Sequence, residues 1–344
     1  MQLEKQISGL CKLGSYMQEF SAKSDADFNA KDHHFMAVLR QAQTENPWFT
    51  IENQMFALQQ WSDLLTLENI TTWVSVYRPA AISKRVGLIL AGNIPLVGFH
   101  DVVSVVLSQH IPLIKQSSKD KVVLPFLMKM WDGFSDGNVA YEFVERLEDF
   151  DAVIATGSNN TARYLEYYFK DHLSIIRKNR TSVAVITGEE TEADLVALAE
   201  DIFRYYGLGC RNVTRLFLPE DFKIDRLFEN FVGFGDVINH NKYANNYEYN
   251  RAIYLLNQER FWDNNFVMLK EDNSLFSPLS VVNFSRYKDM SEVKDFIHQN
   301  EENIQVVVAG AAAGLNSVPF GEAQHPALDT YADHVDTMRF LEVI

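Results

Sequence analysis

The chain has 344 residues, 47% hydrophobic and 22% charged, which excludes a disordered protein and gives enough length for about two domains. With 46 acidic against 31 basic residues, its formal charge of −15 excludes a nucleic-acid partner, whose phosphates it would repel. Only Cys11 and Cys210 carry thiols, which excludes a disulfide framework and a cysteine-rich metal site. No apolar run reaches the roughly 18 residues of a membrane span, and Met1-Gln2-Leu3-Glu4-Lys5 lacks the layout of a signal peptide. A cytoplasmic protein is expected.

The first eighty or so residues are predicted to be helical, with Leu3, Ile7, Leu10 and Leu13 at three- and four-residue steps. From Val86 the pattern changes. Val86–Ala91 is a short apolar run ending in Gly92-Asn93, as in a buried parallel strand. A helix through Val102–Leu107 and a strand at Ile111–Ile114 complete a βαβ unit. Helices are predicted at Val122–Met130, Asn159–Phe169 and Thr191–Tyr205, and strands at Ala152–Ala155 and Val183–Ile186. Further strands are expected at Leu216–Leu218, Leu279–Phe284 and Ile304–Val308, with helices at Asp221–Phe231 and Tyr247–Leu256. Such alternation specifies a doubly wound α/β fold with two sheets, preceded by a helical lead-in. The boundary between the sheets is placed near residues 176–181.

Three places have the residue types for chemistry. Cys210 ends Gly207-Leu208-Gly209-Cys210, where two glycines permit a sharp turn, and Arg211 next to it favours the nucleophilic thiolate. A buried structural thiol accounts for Cys210 equally well. Asn93 lies in Gly92-Asn93-Ile94-Pro95 at the carboxyl end of a strand, where it can donate to an oxyanion or simply shape a turn. Thr156-Gly157-Ser158-Asn159 opens a helix and reads as a phosphate-binding turn or as a plain N-cap. There is no G-x-G-x-x-G near it, no P-loop and no G-x-S-x-G elbow, and the 9 histidines are scattered without metal-ligand spacing.

In order and spacing these pieces resemble the aldehyde dehydrogenase superfamily, and within it the LuxC-type acyl-CoA reductases. The segment Leu90–Leu96 is similar to the superfamily's strand end with its oxyanion-stabilising Asn, and Ala155–Ser158 to its cofactor-phosphate turn. Gly207–Cys210 with Arg215 to Asp221 resembles the nucleophile loop and the strand after it. The tail, Pro319–Gln324 and Tyr331–Met338, is most like the acyl-CoA reductases. The resemblance implies an aldehyde dehydrogenase-like fold of two doubly wound domains: residues 1–178 with the lead-in and the cofactor, 179–320 with Cys210, and a C-terminal segment 321–344 packing back on the cofactor domain or on a partner subunit.

The resemblance also implies a reaction. Cys210 would attack an acyl-CoA thioester, Asn93 and the Cys210 N–H would hold the oxyanion, and a nicotinamide hydride would give the aldehyde. The superfamily's water-activating Glu falls near Ile176, which favours reduction over oxidation to an acid. Where NAD-preferring members have Lys-Pro-Ser-Glu, this chain has Lys115-Gln116-Ser117-Ser118. Ser118 in place of the Glu, with Lys119 and Lys121 beside it, implies NADPH. Lys115, Ser117, Ser118, Thr156, Gly157, Ser158 and Phe276 are the implied cofactor contacts, and Arg177, Lys178 and Arg180 are candidates for the phosphates of CoA. The resemblance further implies a homo-oligomer and, by analogy, an acyl-protein synthetase partner. The rival readings are an acyl-phosphate reductase of the same superfamily and an inactive acyl- or NADP-binding subunit.

Overall fold

The computed structural model describes residues 2–344, which form two compact units. The first runs to Lys178 and takes back Ala327–Ile344; the second is Asn179–Pro326.

The first unit begins with helices α1 (Gln2–Ala22), α2 (Ala30–Glu45), α3 (Ile51–Leu64) and α4 (Leu67–Ser75). Side-chain caps fix where three of them start. Asn29 and Asp32 make a reciprocal capping box on α2, and the Thr50 and Thr66 hydroxyls cap α3 and α4. Leu10, Leu13, Met17 and Phe20 form one fully buried stripe of α1, in the same core as Phe35, Leu39 and Leu58. The sheet follows as β1 (Arg85–Ile89), α5 (Phe99–Leu107), β2 (Ile111–Lys115), α6 (Val123–Phe134), β3 (Glu142–Phe143), β4 (Ala152–Thr156), α7 (Asn159–Tyr168) and β5 (Leu173–Arg177). Its strand order is β3-β2-β1-β4-β5, with every pair parallel. The winding therefore reverses between β1 and β4, and ligands bind such sheets at the carboxyl ends on either side of that point.

The returning C-terminal segment is held by polar contacts. Trp73 Nε1 donates to the Tyr331 hydroxyl at 2.7 Å, and the His110 ring meets the Leu341 carbonyl at 2.9 Å. Arg177, at the end of β5, is buried. It donates to Asp101 Oδ2 on α5 at 2.5 Å and to the Thr337 hydroxyl at 2.9 Å.

The second unit contains β6 (Thr181–Val185), α8 (Glu192–Phe203), β7 (Val213–Pro219), α9 (Asp225–Phe231), α10 (Asn241–Leu256), β8 (Trp262–Asp263), β9 (Met268–Glu271), β10 (Val281–Tyr287), α11 (Met290–Gln299) and β11 (Ile304–Ala309). Its strand order is β11-β6-β7-β10-β9-β8, parallel except where β8 meets β9. Residues 321–326 belong to this unit, because Gly321 and Ala323 donate their N–H groups to Asp201 on α8.

Two helices depart from the sequence pattern for local reasons. The Arg286 guanidinium takes the carbonyls of Pro219, Glu220 and Phe222, so helix α9 starts only at Asp225 and not at Asp221. His240 accepts from the Tyr243 N–H and starts α10 at Asn241, a turn and a half before Tyr247.

The Arg177–Asp101 pair gives a stability prediction. Replacing Asp101 by Ala leaves a buried guanidinium without its carboxylate, which is expected to cost about 3–5 kcal/mol. Urea unfolding checks this, and a midpoint equal to wild type would refute it.

Candidate active site

In the first unit, the loops after β1, β2 and β4 all leave the carboxyl edge of the parallel sheet. Asn93 is exposed in the loop after β1. Lys115 ends β2, and Ser117 and Ser118 follow it, with Ser118 exposed. Thr156 ends β4, and Gly157 and Ser158 lead into α7. Ile89 pairs with both Lys115 and Ala155, so the register brings these three loops side by side. Gly92 lies against Ser117: a Cβ on Gly92 would stand 2.6 Å from the Ser117 Oγ and Cβ and 3.2 Å from the Asp120 Cβ. The glycine is thus required by close approach of the two loops. The Ser158 hydroxyl accepts from the Thr161 N–H, so Ser158 caps α7.

The Asp120 carboxyl accepts from the Leu96 N–H, and its pKa is pushed up to about 7 by burial. Leu96 has a φ of 58°, a left-handed conformation costly for a leucine, in the loop that carries Asn93. That contact was not visible in the sequence.

In the second unit, the loop that carries Cys210 joins α8 to β7. Tyr205, Tyr206 and Gly207 take φ values of 55°, 58° and 77°, three left-handed residues in succession that reverse the chain. Asn212, fully buried, pins the remainder of the loop. Its amide nitrogen donates to the Asp201, Ile202 and Arg204 carbonyls at 3.1, 3.3 and 2.9 Å, and its oxygen accepts from the Gly209 N–H at 2.8 Å. This supplies partners for the last carbonyls of α8, which a helix end otherwise leaves open. The Ser182 hydroxyl donates to the Cys210 carbonyl at 3.1 Å. Cys210 itself is half-buried.

Phe276 lies in the loop before β10. Asn283 donates to the Ser274 and Phe276 carbonyls, and the Thr214 hydroxyl to the Leu275 carbonyl. Arg215 is buried on β7, stacked against Phe217 and Phe296, with its guanidinium on the Asp272 and Ser274 carbonyls and the Ser285 hydroxyl. Burial brings its pKa down to about 10. Arg215 thus fixes the base of the Phe276 loop.

The candidates for CoA phosphates fare differently from the sequence expectation. Arg177 is buried in its pair with Asp101 and holds no exposed charge for a phosphate. Lys178 pairs with Glu166 at 2.8 Å, and Arg180 donates to the Ile304 carbonyl at 3.2 Å. Ile176, near which the resemblance places the superfamily's base, lies on β5. Cys11 sits half-buried on α1, its thiol pushed up by burial.

The family model described as acyl-CoA reductase (LuxC) matches residues 53–229, just over half of the chain and including Asn93 and Cys210. The chain belongs to this family. No curated protein matches it. Solved structures show that the fold of this reductase-family chain is that of the aldehyde dehydrogenase superfamily. Aldehyde dehydrogenase 21 from Physcomitrella patens, in complex with succinate, has a TM-score of 0.67 at 12% identity, covering 99% of this chain and 84% of its own. An acetylating aldehyde dehydrogenase from Geobacillus thermoglucosidasius gives 0.62 at 11% identity, covering 98% and 89%. Aldehyde dehydrogenase C from Pseudomonas syringae, complexed with NAD+ and octanal, gives 0.63 at 10% identity, covering 90% and 72%.

These relatives overturn the expectation of NADPH. Those complexed with a nicotinamide cofactor, from P. syringae, Mycobacterium tuberculosis and Bacillus cereus and an indole-3-acetaldehyde dehydrogenase, hold NAD+. The physical reason lies in the β2 loop. Replacing a carboxylate by Ser118 removes repulsion of a 2′-phosphate but supplies no attraction. Of the two lysines counted on for that attraction, Lys119 and Lys121, the latter lies 3.9 Å from the Glu145 carboxylate.

Two buried carboxyls make stability depend on pH. Burial raises both Asp120 and Asp201 to about 7, the latter against the N–H bonds from Gly321 and Ala323. Between about pH 4 and pH 7 the folded chain keeps protons that the unfolded chain has released, so this contribution to stability falls as pH rises through that window. Asp120→Asn and Asp201→Asn remove the titration and are expected to flatten the dependence. Urea midpoints at pH 5 and pH 8 check it; the wild-type difference persisting in both variants would refute it.

Proposed function

We propose that this enzyme reduces an acyl-CoA to the aldehyde through an acyl-Cys210 intermediate, with NAD(H) as cofactor. The observation that carries this reading is Cys210 itself: a partly accessible thiol on a loop pinned by Asn212 and Ser182, inside the residues matched by the reductase family. The Cys210 sulfur attacks the thioester carbonyl, and CoA leaves as a thiolate, which needs no strong general acid. The Cys210 N–H is the proposed donor to the oxyanion, and the Asn93 side-chain amide is the further donor that the family resemblance implies. Ile176 in place of a base leaves water unactivated, so the acyl-enzyme resists hydrolysis.

The donor set fits a dinucleotide. Lys115, Ser117 and the exposed Ser118 offer an ammonium and hydroxyls for a ribose, and Thr156–Ser158 with the N-terminal amides of α7 would hold the pyrophosphate. Phe276, on the second unit, is a cofactor contact that the family resemblance implies. The bound nicotinamide supplies the hydride that converts the thioester to the aldehyde. Exposed Tyr164, Tyr167 and Tyr168 on α7 support self-association as part of this reading.

Incubation with a panel of acyl-CoAs and no cofactor, followed by intact mass, tests it. An acyl mass gain is expected on wild type and not on Cys210→Ala, and NADH is then expected to release aldehyde faster than NADPH does. No gain with any acyl-CoA on a folded protein would overturn the reading.

A further inference from the structure

We propose that Asp120 is a positioning residue for the cofactor edge of the first unit: as a neutral acid it accepts from the Leu96 N–H and donates its own proton to Gln54 Oε1, which ties the loop after β1 to helix α3. The proposal rests on the reading of that edge as a dinucleotide site.

Asp120 stands where the loops after β1 and β2 meet the lead-in helices. A short turn aims it, with its N–H on the Ser117 carbonyl at 3.1 Å and Gln116 Nε2 on its own carbonyl at 3.2 Å. Its carboxyl takes the N–H of Leu96, the residue held at a φ of 58°. Pro95, Leu96 and Asp120 share a small cavity with Leu39 of α2 and with Gln54 and Leu58 of α3, and the cavity has no room for a water molecule.

Gln54 is buried, and its Nε2 is committed to the Leu39 and Phe49 carbonyls at 2.9 and 2.6 Å. Its Oε1 is buried without a hydrogen-bond partner. A buried acceptor is costly to leave unmet, and water cannot enter to meet it. Gln54 and Asp120 are the polar side chains that line the cavity. A neutral carboxyl brings a donor there, whereas an ionised one would set a second acceptor against the first. Burial agrees with this, pushing the Asp120 pKa up to about 7. No other side chain lining the cavity ionises. Lys119 and Lys121 flank Asp120 and are exposed, as are Arg40 on α2, Glu52 on α3 and Lys129 on α6, and Asp101 on α5 is paired with Arg177.

A second tie runs the same way. Asn46, buried after α2, donates to the Lys119 carbonyl at 3.2 Å. The lead-in helices thus hold the loops after β1 and β2 together, and the segment from Gly92 to Leu96, with Asn93 in it, keeps its path at the carboxyl edge of the sheet. As pH rises through about 7 the Asp120 proton goes to solvent, the tie to Gln54 is lost and the loop after β1 loosens.

The test is NADH binding by fluorescence at pH 6 and pH 8 on the full chain, with hydrogen exchange at the Leu96 amide read by peptide mass. If the cofactor binds the neutral form, the wild-type Kd is expected to rise about tenfold between these pH values. Asp120→Asn, which keeps a donor and an acceptor, is expected to bind tightly at both. Asp120→Ala is expected to bind about tenfold more weakly at pH 6 and to speed exchange at Leu96. Urea midpoints establish that each variant is folded; if Asp120→Ala is not, Asp120→Ser takes its place. A wild-type rise of Kd in Asp120→Asn would overturn the role of the proton, and a wild-type Kd at pH 6 in Asp120→Ala would overturn the positioning role. Failure of the wild type to bind NADH would overturn the dinucleotide reading instead. Exchange at Leu96 needs no ligand, and an unchanged rate in Asp120→Ala fails the tie whatever the edge binds.

Discussion

Asn212 sits fully buried between the end of α8 and the start of β7, and its one carboxamide spans both. It closes the open carbonyls of the helix and takes the Gly209 N–H on its other side. An amide is suited to this because it donates and accepts at opposite faces of one small group. An Asp could not donate to the carbonyls, and a Leu would leave them buried without partners, at about 1–3 kcal/mol each. The path of the loop from the end of α8 to Gly209, just ahead of Cys210, depends on this residue.

The two units use the same architecture in opposite senses. In the first, the residues offered for cofactor and oxyanion leave the carboxyl edge of a parallel sheet, where the change in winding opens space between neighbouring loops. In the second, Cys210 precedes β7 and Phe276 precedes β10, so both lie at the amino edge. Helix α8 delivers the cysteine, and side chains near the strand starts, Ser182, Thr214 and Arg215, hold the two loops in place.

The strands of the two sheets were legible wherever they were continuous apolar runs, as in Val86–Ile89 or Val183–Val185, because burial on both faces leaves no room for polar residues. Strand β5 was not, since its first residues Leu173 and Ser174 are exposed at a sheet edge and give no run. Cys210, Asn93 and Thr156–Ser158 stood out through glycine and turn chemistry. Their long-range partners did not. The Arg177–Asp101 pair spans 76 positions and the Asp201–Gly321 bond 120, and nothing local reports either. Asp201 left one trace: an acid on the apolar face formed by Leu195, Leu198 and Ile202. Arg177 read as a phosphate ligand because a basic run in a sequence shows charge and not its counter-ion. NADPH was inferred from a missing carboxylate beside Lys119 and Lys121, a signal that permits a ligand without specifying one.

The left-handed turn at Tyr205, Tyr206 and Gly207 ties a local shape to distant contacts. Two bulky residues in that conformation cost about 1–2 kcal/mol each. Its surroundings come from far along the chain: β6 pairs with β7, and the Gly321 N–H reaches Asp201 on α8 across 120 positions. The bend ahead of Cys210 is therefore a property of the whole folded unit, and a change near Gly321 can reach it without touching its sequence.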